Sequence, residues 1–500
     1  MSRWNIIAFD AGGTAIKAAL YDECGVERAV ARVTMAPLHP APGCLERDPE
    51  AMWRAVCEVS RKVLAVEPSK IAAVGLTGYG NGLYLLNRKG APVRNGILSP
   101  DLRAQAIVTR WRADGMEART IPRTYQRQWA GKPAPLIAWL EAHEPEALSC
   151  ADHAMFCKDY LRFRLTGVAG LEVSDLSSGG VIDMRLRQWT PDVLEDFGLA
   201  KYARLFGEGA EPLTIVGAVS EQAAAETGLA SGTPVSAGYA DGPAMALGLG
   251  AIDESLISVI AGTWGLNQLS SRTPTTDGSV SAPILGPRPG DFVLTDAGPT
   301  SASALEWLVD SILSRTDGSR RSREAMFDFC NEEVLRAHGA EALPYFLPYL
   351  NGRLNEPDAR GCFIGLASWH GLPEVIRAVY EGVAFEHRAH VDHLLSGRSK
   401  PRAARFAGGA ARSRPWLEIF SAAIGLPLEL AAVDEVGALG AAIVAAVGVK
   451  LHPNLETAVA AMTRVNGRVE PNPQLHATLQ RRRLTFNALR NALSPAWTML

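Results

Sequence analysis

Short apolar runs closed by small or acidic residues alternate along this chain with longer stretches whose apolar positions recur at helical spacing. Ile6 to Asp10 is such a run and ends in a carboxylate. Ala11-Gly12-Gly13-Thr14 then supplies a turn, and Ile16 to Tyr21 runs back, which predicts a β-hairpin. A further strand, Ile71 to Leu76, ends in Thr77-Gly78-Tyr79-Gly80-Asn81-Gly82, and Leu83 to Leu86 follows. Helical spacing appears at Pro49 to Leu64, Pro133 to Ala142 and Asp159 to Leu165. Near the middle of the chain the opening pattern returns: Leu256 to Ile260 is strand-like, Ala261-Gly262-Thr263-Trp264-Gly265 turns, and Leu266 to Leu269 runs back. This repeat, weak by letter but equivalent by pattern, predicts two similarly built halves. Strands mixed with helices in both halves give an α/β class. The Gly- and Ala-rich stretch Ser231 to Ile252 is the expected join, with domains over 1–245 and 246–500.

Composition narrows this picture. The chain has 500 residues, enough for two domains, with 47% hydrophobic and 21% charged residues, a soluble balance. Its formal net charge of −3 gives no support to nucleic-acid binding. The dense basic run Arg481-Arg482-Arg483 reads as a solvated helix face. Seven cysteines without a CxxC pair suggest neither a disulfide framework nor a zinc site. Val436 to Val449 is the longest nearly apolar run, short of the roughly 20 residues a membrane span needs. Its Ala and Gly suit a helix packed closely in a core. With Trp4 to Phe9 already strand-like and no charged-then-apolar leader before it, the cytoplasm is the expected location.

Candidate chemistry begins with the turns. A Gly- and Thr-rich turn between strands offers backbone N–H groups and a hydroxyl to an anion, because Gly lets the backbone approach closely. Gly12-Gly13-Thr14 and Gly262-Thr263 could therefore converge on one polyphosphate; either alone is more simply an ordinary hairpin turn, and it is the pair that raises the phosphate reading to equal weight. There is no GxxxxGK[ST] loop, and the Gly131-Lys132 step leads into Pro133, so a P-loop is excluded. Asp10 closes an apolar strand, where a carboxylate is costly unless it serves water, a metal or a hydrogen-bond network. Asp241, flanked by small residues, either faces a ligand or caps the helix-like run after it. Phe406-Ala407-Gly408-Gly409-Ala410-Ala411-Arg412-Ser413 places a Gly-Gly bend before a helix near Arg414-Pro415-Trp416. Glu386, His387, His390 and His393 fall near helical spacing, but a histidine-bearing surface helix is the simpler reading than a metal site.

Taken together these segments resemble the FGGY family of carbohydrate kinases over nearly the whole chain. The family opens as Asp10 to Ala18 does here. Its C-terminal pattern is matched by Gly361-Cys362-Phe363-Ile364-Gly365-Leu366, then Glu374-Val375 and Ala378-Val379-Tyr380-Glu381. Phe346 to Leu350 with Gly352-Arg353, Asp159-Tyr160-Leu161 with Leu165-Thr166-Gly167, and Gly408-Gly409 with Ser413 and Trp416 add to it. The resemblance implies two actin-like, ribonuclease-H-like domains, an N-terminal sugar-binding one and a C-terminal nucleotide-binding one with C-terminal helices, and an active site in an inter-domain cleft. It implies ATP and Mg²⁺, and a sugar as the partner; it implies neither nucleic acid nor membrane, and it admits a homodimer. Asp241 falls on the general base and Asp10 near the magnesium ion. Gly12, Gly13, Thr14, Gly262, Thr263 and Gly298 fall on the phosphate side, and Gly408, Gly409, Ala410 and Ser413 on the adenosine side.

Within the family, Gly80-Asn81-Gly82, Asn95 to Asp101 with Arg103, and Trp129-Ala130-Gly131-Lys132-Pro133 resemble the L-xylulose kinase branch, with partial likeness to erythritol kinases. The expected sugar contacts are Gly80, Asn81, Asp101, Trp129 and Asp241. Three positions depart from the usual pattern: Leu136 where other branches carry lysine, Gly242 after the base in place of Asn or Gln, and Trp264 after the second Gly-Thr. The last two touch the sugar and phosphate sites. A ketopentose such as L-xylulose is the expected substrate, with an alditol kinase as the alternative and an actin-like ATPase or a sugar sensor behind it.

Overall fold

The first hairpin forms where the pattern places it: Trp4–Ala11 pairs antiparallel with Ala15–Asp22, from Asn5↔Asp22 to Ala11↔Ile16. In this computed structural model, which describes residues 4–67, 70–316, 321–337, 342–354 and 356–499, the first strand is central and buried throughout except at Trp4. Lys70–Gly78 lies parallel on its other side, and Pro234–Ser236 and Tyr239–Ala240 pair in turn with Lys70–Gly78. Ile215–Ala218 and Glu27–Thr34 complete the two edges. Alternation sets the two faces. Ile7, Phe9 and Ala11 join a core with Met52, Val56, Val59 and Val63 of helix Pro49–Val66. On the other face Asp10 approaches Gly437 at the start of helix Val436–Gly448.

That helix explains its own composition. A Cβ on Gly75 would lie 2.4 Å from the Ala441 carbonyl oxygen, and one on Gly440 1.9 Å from that of Ala244 in helix Asp241–Gly248. Backbone therefore meets backbone, which only residues without bulk allow.

The second sheet repeats the opening. Leu256–Ala261 pairs antiparallel with Gly265–Ser271 and parallel with Ala403–Ala407; Leu428–Ala431 and Val465–Val469 follow. Helices Leu372–Leu394, Arg414–Ile424 and Pro473–Leu493 accompany it. Arg482 bonds Glu381 and the Leu343 and Pro344 carbonyls, and Arg483 bonds Asp392. The expected solvated arginine face is thus, at two of its three residues, a set of ties holding the last helix in place.

Two compact units result. One contains residues 1–252, 270–294 and 435–463; the other contains 253–269, 295–434 and 464–500. The expected boundary between 245 and 246 lies near the first passage at 252–253, and residues 270–294 and 435–463 are added to the first unit. Residues 231–252 supply two strands and a helix to the first unit and end where the chain first passes to the second. The close packing of Val436–Gly448 against Lys70–Gly78 draws the chain back. Among the described residues no helix is long and apolar enough to cross a membrane, and all seven cysteines are free.

Candidate active site

In the first unit, parallel strands bring two carboxylates to their C-terminal ends, where ligands of open α/β sheets gather. Asp10 and Tyr239 both pair with Thr77, so Asp10 and Asp241 emerge two strands apart, roughly 10 Å at the usual strand spacing. Asp10 is 7% exposed. Burial pushes its carboxyl up to about 6; Lys17 opposes that rise, while Asp241 and Glu435 add to it. Lys17, its cross-strand partner, stands 4.0 Å from Asp10 and 2.6 Å from Glu435. Asp241 occupies the first position of its helix, and its Oδ1 accepts the Gly242 N–H at 2.7 Å. Burial raises this carboxyl to about 6 as well, against backbone N–H bonds from Gly242, Gly80 and its own residue. Asp241 is therefore a first-turn acid and not the cap, which is Ala240.

The Gly12-Gly13-Thr14 turn is open at Gly13 and Thr14. Arg47, 1% exposed, donates to the Gly12 carbonyl at 3.1 Å, the Gly13 carbonyl at 2.6 Å and the Met35 carbonyl at 3.3 Å. It fixes the peptide planes whose N–H groups form the turn. Neither Arg47 nor Glu435 was marked by a motif: Arg47 stands between Glu46 and Asp48, and Glu435 follows Asp434, so neighbouring charges mask both.

Three segments distant in sequence converge beside Asp241. Gly82 donates to the Gly131 carbonyl at 2.8 Å, and a Cβ on Gly131 would lie 1.8 Å from the Ser99 oxygen. Asn81 adopts φ +64°, its Nδ2 reaches Ser178 Oγ at 3.3 Å, and its buried Oδ1 has no hydrogen-bond partner among the described residues. Trp129 is half-buried at the same place. Asp101 is not available as expected. It is fully buried, with Oδ2 accepting the Leu45 N–H and Oδ1 accepting the Arg103 N–H and Nε, so it clamps the loop instead of facing a sugar. Sequence reading missed Asp175, Gln126, Gln128 and Lys132, which surround Gly80 and Gly180.

The second unit carries the other predicted loops. Gly408, at φ +100°, lies so close to the Gly262 turn that a Cβ would sit 2.4 Å from the Ala261 oxygen and 2.9 Å from the Gly262 nitrogen. The Gly-Gly bend and the second Gly-Thr turn are therefore one surface. Thr263 is exposed there, and its carbonyl accepts the Ser303 hydroxyl at 2.7 Å. Gly298 ends strand Phe292–Gly298. Gly409 and the buried Ala410 continue the bend. Ser413 Oγ caps helix Arg414–Ile424 through Trp416 N–H and bonds Asn331, so its hydroxyl is engaged locally. The histidines nearby do not form a surface face: His387 is buried between Ser301 at 2.7 Å and Asn267 at 2.9 Å, and His390 and His393 both meet Asp296. Among the described residues no cluster suited to a metal appears.

Each unit opens on an antiparallel strand hairpin closed by a Gly-Thr turn, an arrangement of two actin-like domains. Comparison with known proteins gives the family. The N-terminal domain of the FGGY family of carbohydrate kinases matches residues 5–248, and its C-terminal domain matches residues 257–449. The chain belongs to this family and is an ATP-dependent sugar kinase. It is 32% identical over 492 residues to the L-xylulose/3-keto-L-gulonate kinase of Escherichia coli strain K12, covering 97% of each chain. It is 30% identical to a probable L-xylulose kinase of Pasteurella multocida, covering 97% of this chain and 98% of the other. The crystal structure of a xylulose kinase from Rhodospirillum rubrum superposes with a TM-score of 0.88 at 26% identity, over 99% of this chain and all of that one.

Proposed function

We propose that the protein transfers the γ-phosphoryl group of ATP to a terminal hydroxyl of a ketopentose such as L-xylulose, in the cytoplasm, with Asp241 as general base. The observation that carries this reading is Asp241 itself: a carboxyl raised to about 6 by burial, at a strand end beside the polar Gly80-Asn81-Gly82 turn. A sugar hydroxyl is a weak nucleophile, and phosphoryl transfer depends chiefly on positioning and charge neutralisation. Asp241 accepts the hydroxyl proton as that oxygen attacks phosphorus, and the Gly12–Thr14 turn of the same unit donates to phosphate oxygens. Gly298, Gly408, Gly409 and Ala410 line the nucleotide through backbone, and Ser413 contributes by capping. Asn81, Gly80 and Trp129 hold the sugar, with its hydroxyls meeting Asn81 Oδ1.

Magnesium fits the first unit. Asp10 is a buried carboxylate whose charge Lys17 balances only partly, since Lys17 is also bound by Glu435. A magnesium ion typically takes one or two carboxylates plus substrate phosphates, so Asp10 would hold it, directly or through water. There the ion supplies neutralisation of phosphate charge. Family likeness to the two L-xylulose kinases supports the ketopentose over an alditol.

A coupled ADP-release assay with Mg·ATP tests this against L- and D-xylulose, L- and D-ribulose, erythritol, glycerol and no sugar. Strong release with one ketopentose is expected. Release with erythritol or glycerol alone would move the protein to the alditol kinases, and release independent of sugar would overturn the transfer reading.

A further inference from the structure

Two lysines of the first unit have no exposed surface, Lys132 and Lys158. Their surroundings are opposite. Lys158 Nζ lies 3.1 Å from Asp159, 3.1 Å from Glu172 and 2.8 Å from Asp175. Three carboxylates hold it charged. Lys132 bonds Gln126 Oε1 and, among the described residues, meets no carboxylate. Burial lowers it to about 7, and no charged side chain contributes to that change. A buried ammonium without a counter-ion is costly, and proteins normally pair it or keep it neutral.

The place of Lys132 matters. A Cβ on Gly180 would lie 3.5 Å from Lys132 Nζ and 2.9 Å from Gln128 Nε2. Gln128 is itself 6% exposed, and both of its amide heteroatoms lack partners among the described residues. Two residues back along the chain, Ser178 Oγ touches Asn81 and lies 3.0 Å from a Cβ on Gly80, whose N–H reaches Asp241. Ser178 and Gly180 are at most about 7 Å apart. Lys132 and Gln128 thus lie beside the stretch from Ser178 to Gly180, whose other end adjoins Asn81 and Gly80 next to the proposed base.

We propose that Lys132, with Gln128, selects a sugar acid, binding a carboxylate at the end of the substrate remote from the phosphorylated hydroxyl. The inference rests on the kinase reading and narrows its substrate class: the counter-ion missing from the protein is carried by the substrate. Gln126 orients the ammonium, and Gln128 offers an amide N–H to the second carboxylate oxygen or to the adjacent hydroxyl. A neutral ketopentose fills the pocket but leaves Lys132 unpaired.

The test is kcat/KM for 3-keto-L-gulonate and gluconate against L-xylulose, in the full-length enzyme with Mg·ATP. A charge-assisted hydrogen bond typically contributes about 1.5–3 kcal/mol, equivalent to about 10- to 150-fold. Wild type is expected to prefer one of the acids by at least about tenfold. In Lys132→Met the ratio of acid to ketose should fall by about 10- to 100-fold through KM, and Lys132→Arg should restore part of it. A second readout needs no variant: KM for the acid rises above about pH 7 as Lys132 loses its proton, while KM for the ketose stays flat. An acid-to-ketose ratio unchanged in a folded Lys132→Met, parallel pH profiles, or ketose turnover without any acid turnover would each overturn the proposal and leave the kinase reading intact. Absence of turnover with every sugar would instead remove the kinase reading.

Discussion

Replacing Asp241 by Asn should lower activity and raise stability together. The carboxyl is raised from the usual 3.8 to about 6 in the folded chain. At neutral pH it is ionised in both the folded and unfolded states, and the charged form is the less favourable one in the fold. That difference corresponds to about 3 kcal/mol at about 1.36 kcal/mol per pKa unit; partial solvent access of Asp241 reduces it to about 1–3 kcal/mol. The introduced amide retains an oxygen to accept the Gly242 N–H, so that bond survives. The sign follows from proton uptake. Between about pH 6 and 4 the native wild-type protein binds a proton that the unfolded chain does not, so wild type gains stability as pH falls through that window. The advantage of Asp241→Asn should therefore be greatest at pH 7 and vanish near pH 4. Losing a general base costs about 10²–10⁴ in rate. The assay is paired: thermal melts at pH 7 and pH 4.5, and ADP release with the preferred sugar. A variant that melts lower than wild type at pH 7, or turns over at near wild-type rate, would refute the reasoning.

Asp10 is also raised to about 6, so the acid limb of kcat/KM should be steeper than one proton when measured between pH 5 and 7. Arg47→Ala leaves the Gly12, Gly13 and Met35 carbonyls without their donor; it should raise KM for Mg·ATP and cost about 2–4 kcal/mol in urea unfolding. Gly408→Ala combines φ +100° with a 2.4 Å approach to Ala261 and should cost at least about 2 kcal/mol, read as a lower urea midpoint. Asp101→Ala uncouples Arg103 and the Leu45 N–H; a loss of about 3–5 kcal/mol is expected to appear in melting before any change in relative sugar preference.

The hairpins and their glycine turns were legible because period, turn chemistry and burial agree there. Ile6 to Asp10 alternates into two buried faces, and the Gly-Gly step that follows marks a turn. The return of the chain to the first unit was not legible. Val436–Gly448 reads correctly as a buried helix, but its Ala and Gly do not say which sheet it will meet, and it returns to the first unit. Asp101 shows the reverse difficulty: a carboxylate beside a recognisable motif invites a ligand role, while its two oxygens are taken by Leu45 and Arg103, groups on either side of it in the chain. His387, His390 and His393 were read from one helix alone, and their partners Ser301, Asn267 and Asp296 lie on other elements.

Polar residues in the interior are the hardest to interpret from their own letters, because their meaning lies in what surrounds them. Lys132 and Lys158 are each next to an apolar stretch and each buried without remainder, and only Lys158 has a carboxylate beside it in the chain, Asp159. One is neutralised by Asp159, Glu172 and Asp175 and so holds the fold together. The other has an amide neighbour and no counter-charge among the described residues, beside unpartnered atoms of Gln128 and near Asn81. A structural ion pair satisfies itself. A binding residue must stay incompletely satisfied until its ligand arrives, since every partner supplied by the protein weakens the incentive to bind. By that criterion the Gly131-Lys132-Pro133 step, unusable as a P-loop, belongs to recognition of the sugar, and Lys158 does not.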